Sequence, residues 1–395
     1  YHSFFIFFGL ALILLLVIVF RITAERGFRS SLRESNYKYK IAHWLQQIAY
    51  TRFSFKMAGT PSYLMYRTDQ YLVEYLSSRN EHFKILKQQY LYLIGFKAII
   101  AMALLVIGGV LVINQTMNIG QFVAAEIIIL LILSSVEKLI VSLETVYDLF
   151  TAIEKIGQVT DLPLEEKEGM DIPHSDFGYE IDFHNIRYEN DLTSQTLLEG
   201  ATFTIKPNAR AIFHTDNTVS SNLIFGLIAG IYNPKEGSLS INNIPLGNLN
   251  RTFLRNRIGN MLTQDLLVHA TVLENITLGR DYVSFGEVQT LCDRLLLSKQ
   301  IQHLKEGYDT LLNPEGHFLA KDCIRKILIA RALVGSPKLI LLEEPLQDIK
   351  LDEREEILNV ILSPENATIL IQSDDELVVQ RATQTININQ GLITH

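Results

Sequence analysis

Cysteine is nearly absent. Cys292 and Cys323 are the only two in 395 residues. They are far apart and match no metal-ligand spacing, so neither a disulfide framework nor a thiolate metal site is expected. Both are read as buried thiols of a reducing compartment. An excess of positive charge is also missing. The net charge of −8 leaves no basic footprint, and nucleic-acid binding is not expected. Charge of either sign is missing from residues 4–20. A secretory signal would carry positive charge before such a run and a small-residue cleavage site after it. Here the charge follows, at Arg21, and no cleavage site is evident. The chain opens on Tyr1 rather than Met, and its start is read as a cut inside or just before a membrane helix of a longer protein.

What the chain has is apolar sequence, 48% of all residues, with a positive mean hydropathy. The excess is concentrated in the first 145 residues. Spanning a bilayer core takes about 20 apolar residues as a helix. Three stretches qualify: 4–22, 91–113 and 119–143. The short uncharged 114–118 segment makes the last two an antiparallel hairpin. Residues 21–87 are polar and rich in Lys and Arg, which places them in the cytoplasm and the 114–118 turn outside. Lys97 and Glu126 are ionisable groups within apolar runs. They are read either as facing a substrate path or as contacts near helix ends.

Helical periodicity fills 21–87 except near Gly59-Thr60-Pro61. The helices therefore continue beyond the bilayer as two arms, with an aromatic and basic tip at 50–59 placed to dock on something. A helical pattern continues over 137–158. The acidic 161–169 segment, with Pro163 and Gly169, marks the domain boundary. Strands then alternate with helices. Strands are predicted at 179–188, 201–205, 209–213, 238–241, 338–342 and 367–371, and helices at 220–232 and 322–334. The 338–342 strand is fully apolar and ends in Glu343-Glu344-Pro345. Carboxylates at the end of such a strand, below a strand–loop–helix unit, suggest a mononucleotide-binding sheet.

Residues 179–395 resemble the nucleotide-binding domain of ABC transporters nearly end to end. The resemblance is carried by Phe183-His184-Asn185-Ile186, Ile205-Lys206-Pro207-Asn208, Gly230 to Gly237, Thr271-Val272-Leu273-Glu274-Asn275-Ile276, Glu306-Gly307-Tyr308-Asp309-Thr310 and Ile329-Ala330-Arg331-Ala332-Leu333. Residues 1–160 resemble the last three helices of the six-helix set of an exporter-type half-transporter. The implied fold class is an α-helical transmembrane domain plus an α/β P-loop-type nucleotide-binding domain. The layout is 1–160 with a cytoplasmic coupling loop at about 21–88, a linker at 161–178, and the cassette at 179–395. The family's coupling helix falls at about 51–56, docking on a partner's nucleotide domain.

A P-loop needs glycines for its amide cradle, a lysine for the β/γ phosphates and Ser/Thr for magnesium. Here the glycine positions of the Walker A motif hold Thr215, Thr218 and Ser220. Ser221 stands at the lysine position and Asn222 at the magnesium position, with Asp216 adding negative charge. The adenine-stacking aromatic falls at Asn190, with Tyr188 nearby. The Q-loop glutamine falls at Thr263, with Gln264 one place late. The signature reads Leu319-Ala320-Lys321-Asp322-Cys323. The switch histidine is Asp374 and the D-loop aspartate is Lys350. Glu343 stands at the Walker B position, with no metal assigned to it, and Glu344 is read as a remnant of the catalytic base.

The expected function is a subunit of an ABC-exporter-like transport complex with no ATP binding or hydrolysis of its own. The alternatives are an active ATP-driven export subunit paired with an intact half-transporter, or a non-transporting scaffold or docking subunit. No cofactor is expected; ATP and magnesium would enter only if the altered site still works. The expected partners are a second half-transporter subunit in a homo- or heterodimer, the lipid bilayer, and a secretion adaptor. The expected place is the inner cell membrane, multi-pass, with the cassette in the cytoplasm.

Overall fold

The computed structural model describes residues 3–165, 169–190, 195–215, 218–262, 266–314, 319–389 and 392–394; within these, side chains in parts of 3–24, 139–143, 215–221 and 389–394 lie outside the description. The chain forms two compact units, Tyr1–Leu164 and Glu165–His395.

The first unit is helical: α1 (Ser3–Tyr50), α2 (Arg52–Ala58), α3 (Pro61–Ile113), α4 (Ile119–Val141) and α5 (Leu143–Thr160). At about 1.5 Å per residue, α1 and α3 each run well past the thickness of a bilayer core. The sequence sets their ends. Gly59 takes the left-handed conformation that caps α2 (φ 62°), and Pro61 opens α3, where its missing N–H costs nothing.

The arms of α1 and α3 are antiparallel. Ser30 Oγ lies 2.8 Å from His82 Nδ1, Arg33 pairs with Glu81 at 3.1 Å, and Trp44 Nε1 donates to Thr68 Oγ1 at 3.0 Å. Helix α5 joins them through Ser31–Thr151 at 3.0 Å and through Gln89, which donates to the Tyr147 hydroxyl at 3.0 Å. The Tyr147 ring lies over Gly27, where an added Cβ would come within 2.5 Å of it. Further along, α3 meets α4 through Phe96, Ile100, Leu104, Ile129 and Leu133, spaced by four on one helical face.

Among the described residues two helices, Pro61–Ile113 and Ile119–Lys138, are long and apolar enough to cross a membrane. Only 17% and 22% of their apolar windows are buried within the chain, so this unit does not cover their apolar faces. The first apolar run lies in α1, and most of its side chains are outside the described residues. Lys97 forms a salt bridge with Glu137 across α3 and α4, which favours the contact reading of that lysine. The helical run predicted from 119 to 158 is divided: α4 stops at Val141 and α5 begins at Leu143, with Ser142 between them.

The second unit contains β1 (Ile181–Glu189), β2 (Thr196–Ile205), β3 (Arg210–Thr215), α6 (Thr218–Ile228), β4 (Glu236–Ile241), β5 (Ile244–Pro245), α7 (Arg251–Arg255), β6 (Ile258–Met261), α8 (Val272–Thr277), α9 (Phe285–Arg294), α10 (Ser298–Gln302), α11 (Lys321–Leu333), β7 (Leu339–Glu343), α12 (Arg354–Leu362), β8 (Thr368–Gln372), α13 (Glu376–Gln380), β9 (Gln384–Asn389) and β10 (Leu392–Thr394). The predicted strand at 201–205 extends back to Thr196 because it pairs with β1 as a hairpin. The predicted helix over 220–232 is shifted to Thr218–Ile228.

Strands β2-β1-β4-β5 form an antiparallel sheet. Strands β9, β3, β8, β7 and β6 form a parallel sheet in that order, with β10 antiparallel at its edge. Every residue of β7 and β8 is buried, as befits parallel strands covered on both faces. On one side lies a core with α8, α9 and α11. On the other, Phe213 and Phe225 meet Phe183 and Phe203 of the antiparallel sheet; Phe183 and Phe203 stack at 4.3 Å.

Strand β6 packs against α11 through Gly259, where a Cβ would fall 1.7 Å from the Ala332 carbonyl oxygen. A backbone oxygen has no rotamer to yield. Gly259→Ala should destabilise this unit by about 3 kcal/mol, at the upper end of overpacking costs. Urea unfolding of the purified chain checks this, and an unchanged midpoint would refute the close packing.

Candidate functional site

Ligands of open parallel sheets bind outside the carboxyl ends of the strands. Here those ends belong to β3, β7 and β8. Residues 216 and 217 alone separate β3 from α6, and they lie outside the described residues, Asp216 among them. The backbone is helical from Thr218, so Ser220, Ser221 and Asn222 sit in the opening turns of α6. The side chains of Thr215, Thr218, Ser220 and Ser221 are outside the description.

Asn222 and Glu343 are brought together. Glu343 ends β7 and is only 1% exposed. With its amide turned nitrogen-first, Asn222 donates to Glu343 Oε2 at 2.8 Å and Oε1 at 3.2 Å. That orientation follows from the surrounding hydrogen bonds. It makes one chelating amide donor for both carboxylate oxygens.

Glu344 follows with a left-handed backbone, φ 43°. Its N–H donates to the Gln372 carbonyl at 2.8 Å, and Ser373 Oγ donates to its carboxylate at 2.9 Å. These contacts join the ends of β7 and β8. Burial pushes the Glu344 carboxyl above its ordinary value, partly opposed by the Ser373 hydrogen bond. Asp374 lies within 3.3 Å of His214 Nδ1, and Asp375 pairs with Arg354 at 2.8 Å. His214 was not singled out from the sequence. The available signal was its place next to the last residue of a predicted strand that feeds the expected phosphate loop.

The signature-region residues form a separate group. Ala320 precedes α11, which Lys321 opens. Leu319 is half-buried. Lys321 approaches Asp348 at 3.9 Å. Asp322, only 7% exposed, accepts from Gln300 at 2.9 Å and faces Lys350 at 3.9 Å. Cys323 is buried, and burial pushes its thiol up to about 11, so it is no thiolate at neutral pH. No recorded hydrogen bond or ion pair joins this group to the strand-end group among the described residues.

Thr263 and Gln264 lie outside the described residues. Asn190 closes the β1–β2 hairpin, its N–H donating to the Gln195 carbonyl at 2.9 Å. Tyr188 leans on Tyr232 with ring centres 5.8 Å apart.

Sequence reasoning named Arg331 only within a matching stretch. It is a buried arginine whose Nε donates to the Asn275 carbonyl at 2.8 Å, Nη2 to Asn275 Oδ1 at 3.0 Å, and Nη1 to the Leu266 carbonyl at 3.1 Å. It pins the segment that follows the expected Q-loop. Next to it on α11, Lys326 is fully buried and pairs with Glu353 at 2.7 Å.

The fold of the second unit is similar to that of ABC-type ATP-binding domains, as comparisons with known proteins show. Residues 198–347 match the family model described as ABC transporter. The alpha-hemolysin translocation ATP-binding protein HlyB of Escherichia coli O157:H7 is 26% identical over 289 residues, covering 73% of this chain and 41% of that protein. The uncharacterized ABC transporter ATP-binding protein YfiB of Bacillus subtilis (strain 168) is 26% identical over 238 residues, 60% of this chain and 41% of that one. A solved structure, described as a bacterial Atm1-family ABC exporter with ATP bound, matches with a TM-score of 0.82 at 18% identity. It covers 99% of this chain and 68% of the other. The chain thus spans about two fifths of the length of the curated relatives it matches. Residues 198–347 thus match the ABC transporter family model, and the chain shares the fold of that exporter structure, long helices followed by an α/β domain.

The Glu344 geometry makes a pH prediction. A carboxyl raised in the folded state contributes stability below the unfolded value of about 4.3 and loses it as pH rises through the folded value. Glu344→Gln keeps the acceptor for Ser373 and never ionises. It should melt above wild type at about pH 8, with the difference closing below about pH 4. Paired thermal scans test this, and a lower melting temperature at the higher pH would refute it.

Proposed function

We propose that this chain is a half-transporter subunit of an ABC-exporter-like membrane complex and has no ATP binding or hydrolysis of its own. The observation that carries this reading is the Asn222–Glu343 pair. Magnesium needs the carboxylate at the end of β7 and an oxygen ligand at the start of α6. At that position the chain places an amide whose nitrogen occupies both carboxylate oxygens.

The phosphates fare no better. Ser221 supplies no positive charge, and residues with side chains stand at Thr215, Thr218 and Ser220. At the signature positions, Lys321 and Asp322 make ion pairs with Asp348 and Lys350. The residues present do not fit MgATP, and no chemical step is assigned through it. The subunit would work in a homo- or heterodimer, with α2 as the docking tip of the arms. Its Phe53 and Met57 are exposed, while Phe55 leans on Trp44 at 6.3 Å. A secretion adaptor is a further partner, by analogy with the toxin-translocation relatives.

Glu344 favours a second reading, an active subunit paired with an intact half-transporter, because a carboxylic acid persists at the position of the base.

Two measurements separate these readings. An ordinary nucleotide site at a hundredfold excess over Kd stabilises the native state by about 2.7 kcal/mol, several degrees in melting temperature. The purified chain in detergent should show no MgATP-dependent rise; a clear rise, abolished by Glu343→Ala, would overturn the proposal. Glu344→Gln should leave transport by the assembled complex within about twofold of wild type, since general-base catalysis needs a positioned water within hydrogen-bond reach. A loss above about tenfold at equal subunit abundance would make Glu344 catalytic.

A further inference from the structure

Where the apolar stretches of the helical unit end, most exposed charges without an ion pair among the described residues are positive. Interhelix contacts fix the heights. Ser30–His82 at 2.8 Å, Arg33–Glu81 at 3.1 Å and Glu34–Arg79 at 3.4 Å set the register of α1 against α3. The same register brings Arg26 level with Lys87 and Arg21 level with residues 91–93. The Lys97–Glu137 salt bridge ties α4 to α3, which puts Lys138 near the level of Phe96, about 13 Å along α3 from Lys87.

Arg21, Arg26, Lys87 and Lys138 are all exposed, and none makes an ion pair among the described residues. Of the carboxylates near this level, Glu25 pairs with Arg29 at 2.6 Å and Glu137 with Lys97, while Glu144 is exposed and makes no ion pair among the described residues. From Arg21 to Arg26 the helix rises about 7 Å, close to the depth of one headgroup layer. Tyr90 and Tyr92, both exposed, stand at the same level on α3. Aromatic rings with a polar end collect at that depth of a membrane.

We infer that Arg21, Arg26 and Lys87 form a binding site for the headgroups of anionic phospholipids, in the leaflet next to the α1–α3 arms. The inference rests on the membrane reading of the proposed function and adds a ligand to it. Arg26 and Lys87 come from two helices at one level, and Arg21 lies about 7 Å further along α1. Glu144 offsets one of the three charges, and the headgroup phosphates are the charge that the membrane supplies there. An anionic lipid at this site would also bridge α1 and α3.

The test uses the full 395-residue chain reconstituted in phosphatidylcholine bilayers with spin-labelled phosphatidylglycerol or spin-labelled phosphatidylcholine as probe. The immobilised fraction in the paramagnetic-resonance spectrum gives the relative affinity. A single cation at such a surface strengthens association about fivefold, so wild type should prefer phosphatidylglycerol by at least that factor. The preference should fall sharply in about 1 M salt, where screening is short-ranged. It should approach unity in the combined variant Arg21→Gln, Arg26→Gln, Lys87→Gln. No preference in wild type, or an undiminished one in the variant, would overturn the inference. The salt titration of wild type decides the matter even if the variant does not fold. A carbonate wash of the bilayers keeps the two readings apart. If the chain washes off, the membrane reading fails; if it stays without lipid preference, only the headgroup site fails.

Discussion

A carboxylate at the end of an apolar strand, shut off from water, must find donors within the protein, because leaving it unpaired costs several kcal/mol. Glu343 is in that position, and Asn222 meets the demand. The arrangement of the strand ends follows from it. The start of α6 is tied to the end of β7. Glu344, the next residue, is turned by its left-handed backbone onto Gln372 and Ser373 at the end of β8. Side chains at the three strand ends are thus joined to one another directly.

The helical unit inverts its own chemistry along α3. The buried positions of that helix run through Ser78, His82, Gln89, Leu93, Phe96, Ile100, Leu104 and Gly108. They form one stripe, polar up to Gln89 and apolar from Leu93. The exposed face changes in the opposite sense, from Lys84 and Lys87 to Ile99, Met102, Leu105 and Val106. In water, arms can pair through hydrogen bonds while charges face out. Beside hydrocarbon, the apolar side chains face out and the helix contact is made by close packing, as where Gly108 accepts the Phe122 ring. The change of stripe falls at the level of Tyr90, Tyr92 and the unpaired cations.

The sequence reading and the structure part company in instructive places. The break at Ser142 was not legible, because 137–158 keeps helical periodicity across it and the interruption is a single residue. The backward extension of β2 was not legible either, since the pairing of Thr196 with Glu189 is a hairpin contact rather than a local preference. The break after the tip was legible, because the Gly59-Thr60-Pro61 signal is local and strong; the short helix before it was expected only from the family resemblance. Arg331 shows the middle case: its presence in an apolar helix was visible, its carbonyl partners were not.

By itself the sequence determined the order and kind of the elements, the change from helical to α/β organisation, and which residue types stand at each motif position. These are carried by periodicity, by glycine and proline at breaks, and by identity at fixed spacing, all short-range properties. Only the tertiary structure decided which groups meet: Asn222 with Glu343, His214 with Asp374, Lys97 with Glu137, Arg331 with Asn275. Each pair joins residues far apart in the sequence, from 40 positions for Lys97 and Glu137 to 160 for His214 and Asp374. Whether a buried polar group has a partner depends on how sheets and helices pack, which no local pattern encodes.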